Sequence, residues 1–308
     1  MSKMFKSLIA LSLALTASVA FAAEQVRVAV SSTAIFYPAV YVAKEMRYFD
    51  EAGLDVSIVD AGSGSNVISS VVGGSAEIGG GSIKNVSQAV AKGQPLMAFA
   101  SALRGFPNFL VVRKGFMAEH GLKADSPFAA RIASLKGSTI AVNDIGGSAG
   151  DFVRELLRRG GLGDRDAVLI NVSSTPGRLA ALKAKRVDGL VGYAPEPETA
   201  ILEGYGEIIV DSSADIPETR SVEYITYYCR ASYLKENSKT VEAFIRAVAK
   251  ATALIKNDSA AARTAFFKQM ATKSFGAKSD PRIEELQWSD MRPYFPADVP
   301  INLAEMAK

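Results

Sequence analysis

Apolar and polar positions alternate along the chain in two recurring patterns. Gln25 to Val30 alternates polar and apolar residues, which is typical of a strand, whereas the apolar residues from Pro38 to Met46 share one helical face. A polar or glycine-rich loop follows each predicted strand. In this part of the chain strands are predicted at 25–30, 54–59 and 76–79, and helices at 38–46, 67–72 and 83–92.

A second unit with the same order of elements begins near residue 139. Its strands are predicted at 139–142, 167–172 and 187–191, and its helices at 148–159 and 175–185. Two strand-like segments, 96–112 and 222–230, connect this unit to the rest of the chain. Amphipathic helices predicted at 240–255, 258–271 and 281–292 then return to the first unit.

Strands that alternate with helices of this length predict right-handed crossovers and mostly parallel sheets covered by helices. We therefore predict an α/β protein with two lobes. Residues 23–108 and 226–308 form lobe 1, residues 109–225 form lobe 2, and the crossings near 104–113 and 222–230 act as a hinge. Sheets of this kind bind small molecules at the carboxyl ends of their strands.

The first 22 residues have the three parts of a secretory signal peptide. Lys3 and Lys6 give a positive start, residues 8–19 are apolar, and Ala20-Phe21-Ala22 is a small-x-small cleavage site. An uncleaved membrane anchor needs about 20 unbroken apolar residues, and polar residues interrupt this run at Ser12, Thr16 and Ser18. We expect cleavage near Ala22 and a soluble, exported product.

Composition narrows the class of protein further. The single cysteine, Cys229, is far from the cleavage point, so we expect neither a lipid anchor nor an internal disulfide. Lys and Arg total 35 against 32 Asp and Glu, and the basic residues are scattered, which argues against nucleic acid as a partner. With His120 as the only histidine, the sequence offers no metal site, no catalytic set and no cofactor motif.

Glycine-rich loops are the better candidates for function. In the segment 146–151, Ser148 and Asp151 can cap a helix start whose free N–H groups and dipole attract an anion. The alternative is that Gly146-Gly147 makes a tight turn before a well-capped helix and binds nothing.

Other polar residues follow the predicted strands. Hydroxyl groups at a sheet edge either cap helices or contact a ligand, and their convergence favours a ligand. Arg104 is either a clamp facing the cleft or a surface residue, and Glu196 pairs either with a basic ligand or with a protein cation. The candidates with hydroxyl groups are Ser31, Ser32, Thr33, Tyr37, Ser63, Ser65, Ser82 and Tyr193.

Several blocks of the sequence match one family in their spacing. They are VRVAVSS, YPAVYVAKEMRYFDEAGLDVSIVDAGSGS, VVGGSAEIGGGS, LKGSTIAV, VDGLVGYAPEPETA and YYCRASYLKENSKTVEAFIRAVAKA. Over nearly the whole mature chain, the sequence resembles type II periplasmic substrate-binding proteins of the nitrate, sulfonate and taurine class and the related thiamine-precursor-binding group. This resemblance implies a ligand held between two lobes by Ser32, Thr33, Tyr37, Ser63, Gly64, Ser65, Ser82, Gly147, Ser148, Ala149, Tyr193 and Glu196.

The resemblance also implies a function. We expect a monomeric periplasmic receptor that gives a small ligand to the inner-membrane permease of an ABC importer by transient docking. The ligand is expected to be a sulfonate, nitrate or carboxylate-type anion, or a small aromatic or pyrimidine compound. Tyr193 replaces a tryptophan that is common in relatives, and the cysteine-rich block of yeast-type precursor synthesis is missing. The alternatives are an enzyme on the same fold, acting on a small precursor, and a sensory binding domain.

Overall fold

The structure, a computed structural model, describes residues 23–31, 34–273, 280–296 and 299. The predicted export signal, Ser32 and Thr33 lie outside the described residues. Ten strands form two five-stranded sheets. The strands are β1 (Glu24–Val30), β2 (Leu54–Asp60), β3 (Ile78–Ser82), β4 (Leu96–Arg104), β5 (Phe109–Arg113), β6 (Thr139–Val142), β7 (Val168–Asn171), β8 (Gly189–Gly192), β9 (Gly206–Asp211) and β10 (Glu223–Arg230).

Helices cover both sheets. They are α1 (Pro38–Glu45), α2 (Tyr48–Glu51), α3 (Gly64–Val72), α4 (Ile83–Ala91), α5 (Phe116–Glu119), α6 (Phe128–Ala133), α7 (Ser148–Arg159), α8 (Thr175–Lys183), α9 (Glu196–Leu202), α10 (Ser212–Asp215), α11 (Ala231–Glu236), α12 (Ser238–Lys256), α13 (Ala260–Lys273) and α14 (Pro281–Met291). The predicted α/β class with two sheet-and-helix layers is confirmed.

The first sheet has the strand order β2-β1-β3-β10-β4. Strand β1 runs parallel to β2 and β3, whereas β10 runs antiparallel to both β3 and β4. Alternate residues of β1, Val26, Val28 and Val30, are fully buried. They pack with residues of α1, including Val40 and Val42, because the apolar face of that helix turns toward the sheet. We call this sheet with its helices lobe 1.

The second sheet has the order β7-β6-β8-β5-β9. Strands β7, β6 and β8 are parallel, and β5 is antiparallel to its neighbours β8 and β9. Helix α7 buries Phe152, Val153, Leu156 and Leu157 on one face. We call this sheet with its helices lobe 2.

Two segments carry the chain between the sheets. The first runs from Arg104, the end of β4, to Phe109, and the second from Asp211, the end of β9, to Glu223. Strand β10 begins three residues before the predicted return point at 226. Because Glu223 pairs with Arg104 in the first sheet, the two crossings lie side by side.

Several elements differ from the sequence prediction. Strand β3 extends through Ser82, where a glycine loop was expected, because it pairs with β1 and β10. Its glycines leave room for tyrosine rings beside the strand. Helix α9 and strand β9 were not predicted. The predicted polar stretch 114–130 contains α5 and the start of α6.

Across its described residues, the protein has no helix with the length and apolar character needed to cross a membrane.

Candidate functional site

A small cavity lies between the two lobes, in the space that we call the cleft. Its volume is about 30 Å³, enough for roughly one water molecule. Lobe 1 contributes Ser31, Phe36, Tyr37, Gly64, Gly81, Ser82, Asn85, Tyr224 and Ile225. Lobe 2 contributes Asn143, Asp144, Gly147, Ser148 and Tyr193. The carboxyl ends of β1, β3, β6 and β8 therefore face one another here, which is where sheets of this kind bind small molecules.

Aromatic rings close one side of the cavity. The Phe36 ring meets Tyr193 of lobe 2 edge-on, with 4.7 Å between centroids, and meets Tyr224 at 5.6 Å. All three rings are buried. Edge-to-face contacts of this kind contribute about 0.5–1.5 kcal/mol beyond the buried area. They hold the cleft closed in this structure.

Tyrosine hydroxyls supply polar groups to the same surface. Tyr37 donates a hydrogen bond of 2.9 Å to the Gly80 carbonyl, and its oxygen is 3.2 Å from Ser31 Oγ. Burial raises the pKa of Tyr224 to about 12, although hydrogen bonds with Ser148, Tyr193 and Asn108 oppose the shift. Burial likewise raises the pKa of Tyr193. These hydroxyls are therefore neutral near pH 7.

Three helices begin at the cleft. Ser63 caps α3 by accepting from Asn66 N at 3.3 Å, and Ser82 caps α4 by accepting from Lys84 N at 3.2 Å. Helix α7 begins after Gly147, whose position offers no side chain to cap it. The first N–H groups of a helix have no helical partner and carry the positive end of its dipole. The starts of α3, α4 and α7 thus each contribute partial positive charge to the cleft.

Polar side chains also join the lobes at the rim of the cleft. Ser65 Oγ on α3 donates to Asp144 Oδ2 at 2.6 Å, and Lys84 Nζ on α4 lies 2.6 Å from Asp151 Oδ2 on α7. Asp144 also accepts a hydrogen bond from Gly146 N at 3.0 Å, so a donor within lobe 2 stabilises its carboxylate as well.

The structure places the predicted site residues unequally. Tyr37, Gly64, Ser82, Gly147, Ser148, Tyr193 and the loop residue Ser31 line the cavity. Ser63 serves as a helix cap, Ser65 makes the contact between lobes, and Ala149 is buried within α7. The predictions for Ser32 and Thr33 fall outside the described residues.

Arg104 and Glu196 do not line the cavity. Arg104 Nε pairs with Glu223 Oε2 at 3.1 Å, beside the crossing strands. Glu196 is buried, and its Oε1 lies 2.6 Å from Arg178 Nη2. Of the two predicted partners, a basic ligand and a protein cation, Glu196 therefore has the protein cation. Both residues pair within the protein because their neighbours across the sheet or loop carry the opposite charge.

Sequence reasoning missed Phe36, Asn85, Asn143 and Tyr224. Phe36 and Tyr224 are aromatic residues in apolar segments, where the sequence signal is the same as that of core residues. Asn143 directly follows β6, and residues in this position after a parallel strand often contact a ligand. Its position in the sequence could therefore have identified it.

A larger groove of about 620 Å³ continues from the cavity. The two spaces share Ser82, Ser148 and Tyr224, and the groove then runs past Phe106 and Phe152. Its lining contains equal numbers of basic and acidic residues. The basic ones are Lys84, Arg154, Arg158 and Arg159, and the acidic ones are Asp151, Glu155, Asp164 and Glu223. An extended solute held at the cavity has apolar and charged surface available here.

Comparison with known proteins settles the family. The sequence model described as NMT1/THI5 like matches residues 37–262, which include the cleft residues from Tyr37 to Tyr224. The chain belongs to the NMT1/THI5-like family. YtlA of Bacillus subtilis strain 168, provisionally described as a binding protein, is 25% identical over 307 residues, covering 90% of this chain and 86% of YtlA.

Solved structures share the fold. A protein from Bordetella bronchiseptica RB50 has a TM-score of 0.75 and 26% identity, covering 90% of this chain and 84% of its own. The alkanesulfonate-binding protein SsuA from Xanthomonas axonopodis pv. citri, bound to MOPS, has a TM-score of 0.69 and 19% identity, with coverages of 87% and 84%. The periplasmic nitrate-binding protein NrtA from Synechocystis PCC 6803 has a TM-score of 0.68 and 15% identity, with coverages of 87% and 68%. This family member therefore has the fold of type II ABC substrate-binding proteins.

Proposed function

We propose that this protein is a periplasmic receptor that captures a small solute in the cleft and delivers it unchanged to an ABC importer. One observation carries the proposal: three helix starts and a set of buried hydroxyl groups converge on a cavity between the two lobes. Binding relatives of the same family and fold support the solute-binding role.

The lining favours a small solute with a polar or anionic head and a flat or short apolar body. The described lining residues of the cavity include no Lys, Arg or His, and their one carboxylate, Asp144, already accepts from Ser65 Oγ and Gly146 N. Free N–H and hydroxyl donors must therefore meet a negative charge on the solute. Phe36, Tyr193 and Tyr224 offer aromatic surface for the body of the solute. Sulfonates, nitrate, carboxylates, small aromatic compounds and pyrimidines are the classes to be tested.

Capture requires the cleft to open first. A cavity of about 30 Å³ is far smaller than the several hundred Å³ of ordinary small-molecule sites. In the proposed cycle the Phe36–Tyr193 contact separates, solute enters, and the lobes close around it. The closed form then docks on the permease, so closure reports occupancy.

A thermal-shift screen over these five classes tests the proposal. A specific solute at about 100 times its Kd stabilises the folded protein by about 2.7 kcal/mol and raises Tm by several degrees. Each solute that binds is recovered after incubation with the protein and analysed by mass spectrometry. A receptor returns it intact, whereas conversion of the solute would identify an enzyme instead.

Ser148→Trp tests the location of the site. Ser148 is the first residue of α7 and lines the cavity, so an indole there fills the space and the shift is lost. The control is Ser238→Trp, the same substitution at the exposed first residue of α12, which keeps the shift. A full shift in Ser148→Trp, with an unchanged unliganded Tm, would remove the cleft from the proposal.

A further inference from the structure

A second cavity, which we call the α9–α14 groove, lies where lobe 2 meets the C-terminal helices. Its volume is about 580 Å³, within the range of small-molecule sites. Helix α9 and strand β9 form one wall and helix α14 forms the other. It shares no lining residue with the cleft cavity, although the adjacent residues Tyr193 and Ala194 line the cavity and the groove respectively.

Exposed apolar side chains collect in this groove. Ile201, Leu202, Ile208 and Leu286 are 46%, 44%, 36% and 39% exposed, and all four line it. Single exposed apolar residues are ordinary, but a contiguous set marks a surface that binds something. The groove can therefore cover the apolar body of a ligand.

The charged residues of the groove all have the same sign. Glu198, Asp211 and Asp290 contribute carboxylates, and among the described lining residues there is no Lys, Arg or His. Nearby arginines are engaged elsewhere: Arg131 pairs with Asp215, and Arg292 pairs with Asp258. The groove is thus an apolar surface whose carboxylates pair with no cation among the described residues, although Asp211 also caps α10 by accepting from Ser213 N and Ala214 N.

Of these three carboxylates, Glu198 gives the strongest indication of a bound cation. Its side chain is only 9% exposed, yet within the described structure its Oε2 has no hydrogen-bond partner. A buried carboxylate oxygen without a partner is costly, although a backbone hydrogen bond to the same carboxyl group offsets part of that cost. Burial first, and then the charges of Asp290 and Glu196, raise the pKa of Glu198 to about 7. A cation beside this oxygen would offset that cost.

We propose that the α9–α14 groove binds a small organic ammonium ion, whose charged nitrogen contacts Glu198 and whose apolar body lies against Ile201, Ile208 and Leu286. A bare metal ion fits less well, because the described residues contain no group of acidic, His or Cys side chains arranged to hold one. An ammonium group with a hydrocarbon body matches both the charge and the walls of the groove.

Isothermal titration calorimetry with four matched compounds tests the chemistry of the groove. The probes are 2-phenylethylammonium, its neutral analogue 2-phenylethanol, its anionic analogue 3-phenylpropionate, and ethylammonium, which has the charge without the ring. In the Ser148→Trp variant, whose cleft is filled, only 2-phenylethylammonium should bind at millimolar concentration. Equal binding of the alcohol or the anion, or no binding of the ammonium, would overturn the proposal.

Variants then locate the site. Glu198→Gln keeps the shape and removes the charge, so the Kd for 2-phenylethylammonium should rise about tenfold or more. The matched control is Glu203→Gln, directly after α9, where the carboxylate pairs with Lys183 outside the groove. Asp290→Asn should weaken binding less, with Glu285→Gln on the same helix as its control. An unchanged Kd in Glu198→Gln would show that Glu198 does not contact the ammonium group, and the proposal would be wrong.

Two further measurements exclude other occupants and other sites. The Ser148→Trp variant should bind the ammonium normally, since that substitution fills the cleft and leaves the groove intact. If the ammonium binds only after removal of residues 300–308, those residues rather than an ammonium ligand occupy the groove, and the proposal is wrong.

Discussion

Tyr37 crosses strand β3 at a position where the absence of a side chain makes room for its ring. A Cβ atom on Gly80 would lie 2.7 Å from Tyr37 Cε1 and 3.3 Å from Val30 Cγ1, both in the core of lobe 1. Gly80→Ala should therefore destabilise the protein by about 1–3 kcal/mol through overpacking. Urea unfolding monitored by circular dichroism measures this loss.

The control is Gly163→Ala, whose Cβ would meet only Asp166 Oδ2, at an ordinary 3.6 Å. Its effect should stay within about 0.5 kcal/mol. Equal effects of the two substitutions would show that Tyr37 moves aside freely and does not fix this edge of the cleft.

Glu198 makes stability depend on pH. Its pKa of about 7 in the folded protein lies above the unfolded value of roughly 4.3, so the folded state binds more protons between these values. Stability should fall as pH rises from about 4 to 7, and Glu198→Gln should remove this component. Relative to the parent protein, the unfolding free energy of the variant should gain on the order of 3 kcal/mol between pH 4 and pH 8.

The measurement is the unfolding free energy of both proteins across this pH range. Asp290, Asp211 and Glu196 also act on the groove and remain in the variant, so the difference between the two curves isolates Glu198. Parallel curves would show that this carboxyl group is already ionised at low pH.

The place of individual residues at the cavity was predictable where chain position alone determined it. Tyr37, Ser82 and Ser148 follow parallel strands, and the sheet brings such positions together. Phe36 and Tyr224 were not predictable, because an aromatic residue that lines a cleft and one in a core have the same sequence signal. The role of Glu196 depended on Arg178, 18 positions earlier, which only the folded loop brings near.

At the scale of elements, one buried ion pair organises the turn between β8 and α9. Arg178 donates to the Val172 and Ser173 carbonyls, both at 2.9 Å, and pairs with Glu196. Glu196 Oε2 in turn accepts from Tyr193 N at 3.1 Å. The pair thereby connects the end of β7, the start of α8 and the loop that carries Tyr193 into the cleft.

Arg178→Met should destabilise the protein by about 3–5 kcal/mol, because it leaves the Glu196 carboxylate buried without its cation. Adding Glu196→Gln to Arg178→Met should recover part of this loss. Chemical denaturation of the single and double variants measures both effects. If the double variant were as unstable as the sum of the single variants, the two residues would act independently.

Most of the regular elements were predictable because their apolar residues repeat with helical or strand periodicity. Helices α7 and α12 have a clear apolar face, and their predicted bounds agree closely with the structure. Helix α9 has only seven residues and places Pro197 in its first turn, so it offered too little periodicity. Strand β3 is rich in glycine, and its pairing with β1 and β10 determines its extended form.

At the scale of the whole molecule, polar and aromatic side chains of the two lobes meet across the closed cleft. Lys84–Asp151 and Ser65–Asp144 join the lobes at their polar rim, and Phe36–Tyr193 joins them inside. A partly exposed ion pair contributes up to about 1 kcal/mol. The balance between open and closed forms should therefore respond to single substitutions.

Lys84→Met should shift the unliganded protein toward the open form and weaken solute binding by up to about fivefold. Small-angle scattering should show a larger radius of gyration than in the parent protein, and saturating solute should restore the compact value. The control is Lys250→Met. This substitution removes a partly exposed ion pair with Glu51 that lies entirely within lobe 1. A radius of gyration that never changes with substitution or solute would contradict hinge closure.

The side-by-side crossings have a consequence for how the chain folds. Residues 109–211 are continuous and contain every strand of the second sheet, whereas the first sheet needs β10, which follows them. Lobe 2 can thus complete its sheet before the chain beyond residue 211 is available. Lobe 1 must hold β3 and β4 apart until β10 inserts between them, a long-range closure that slows folding. We therefore expect the two halves to acquire protection from hydrogen exchange in sequence, with β5 protected before β4.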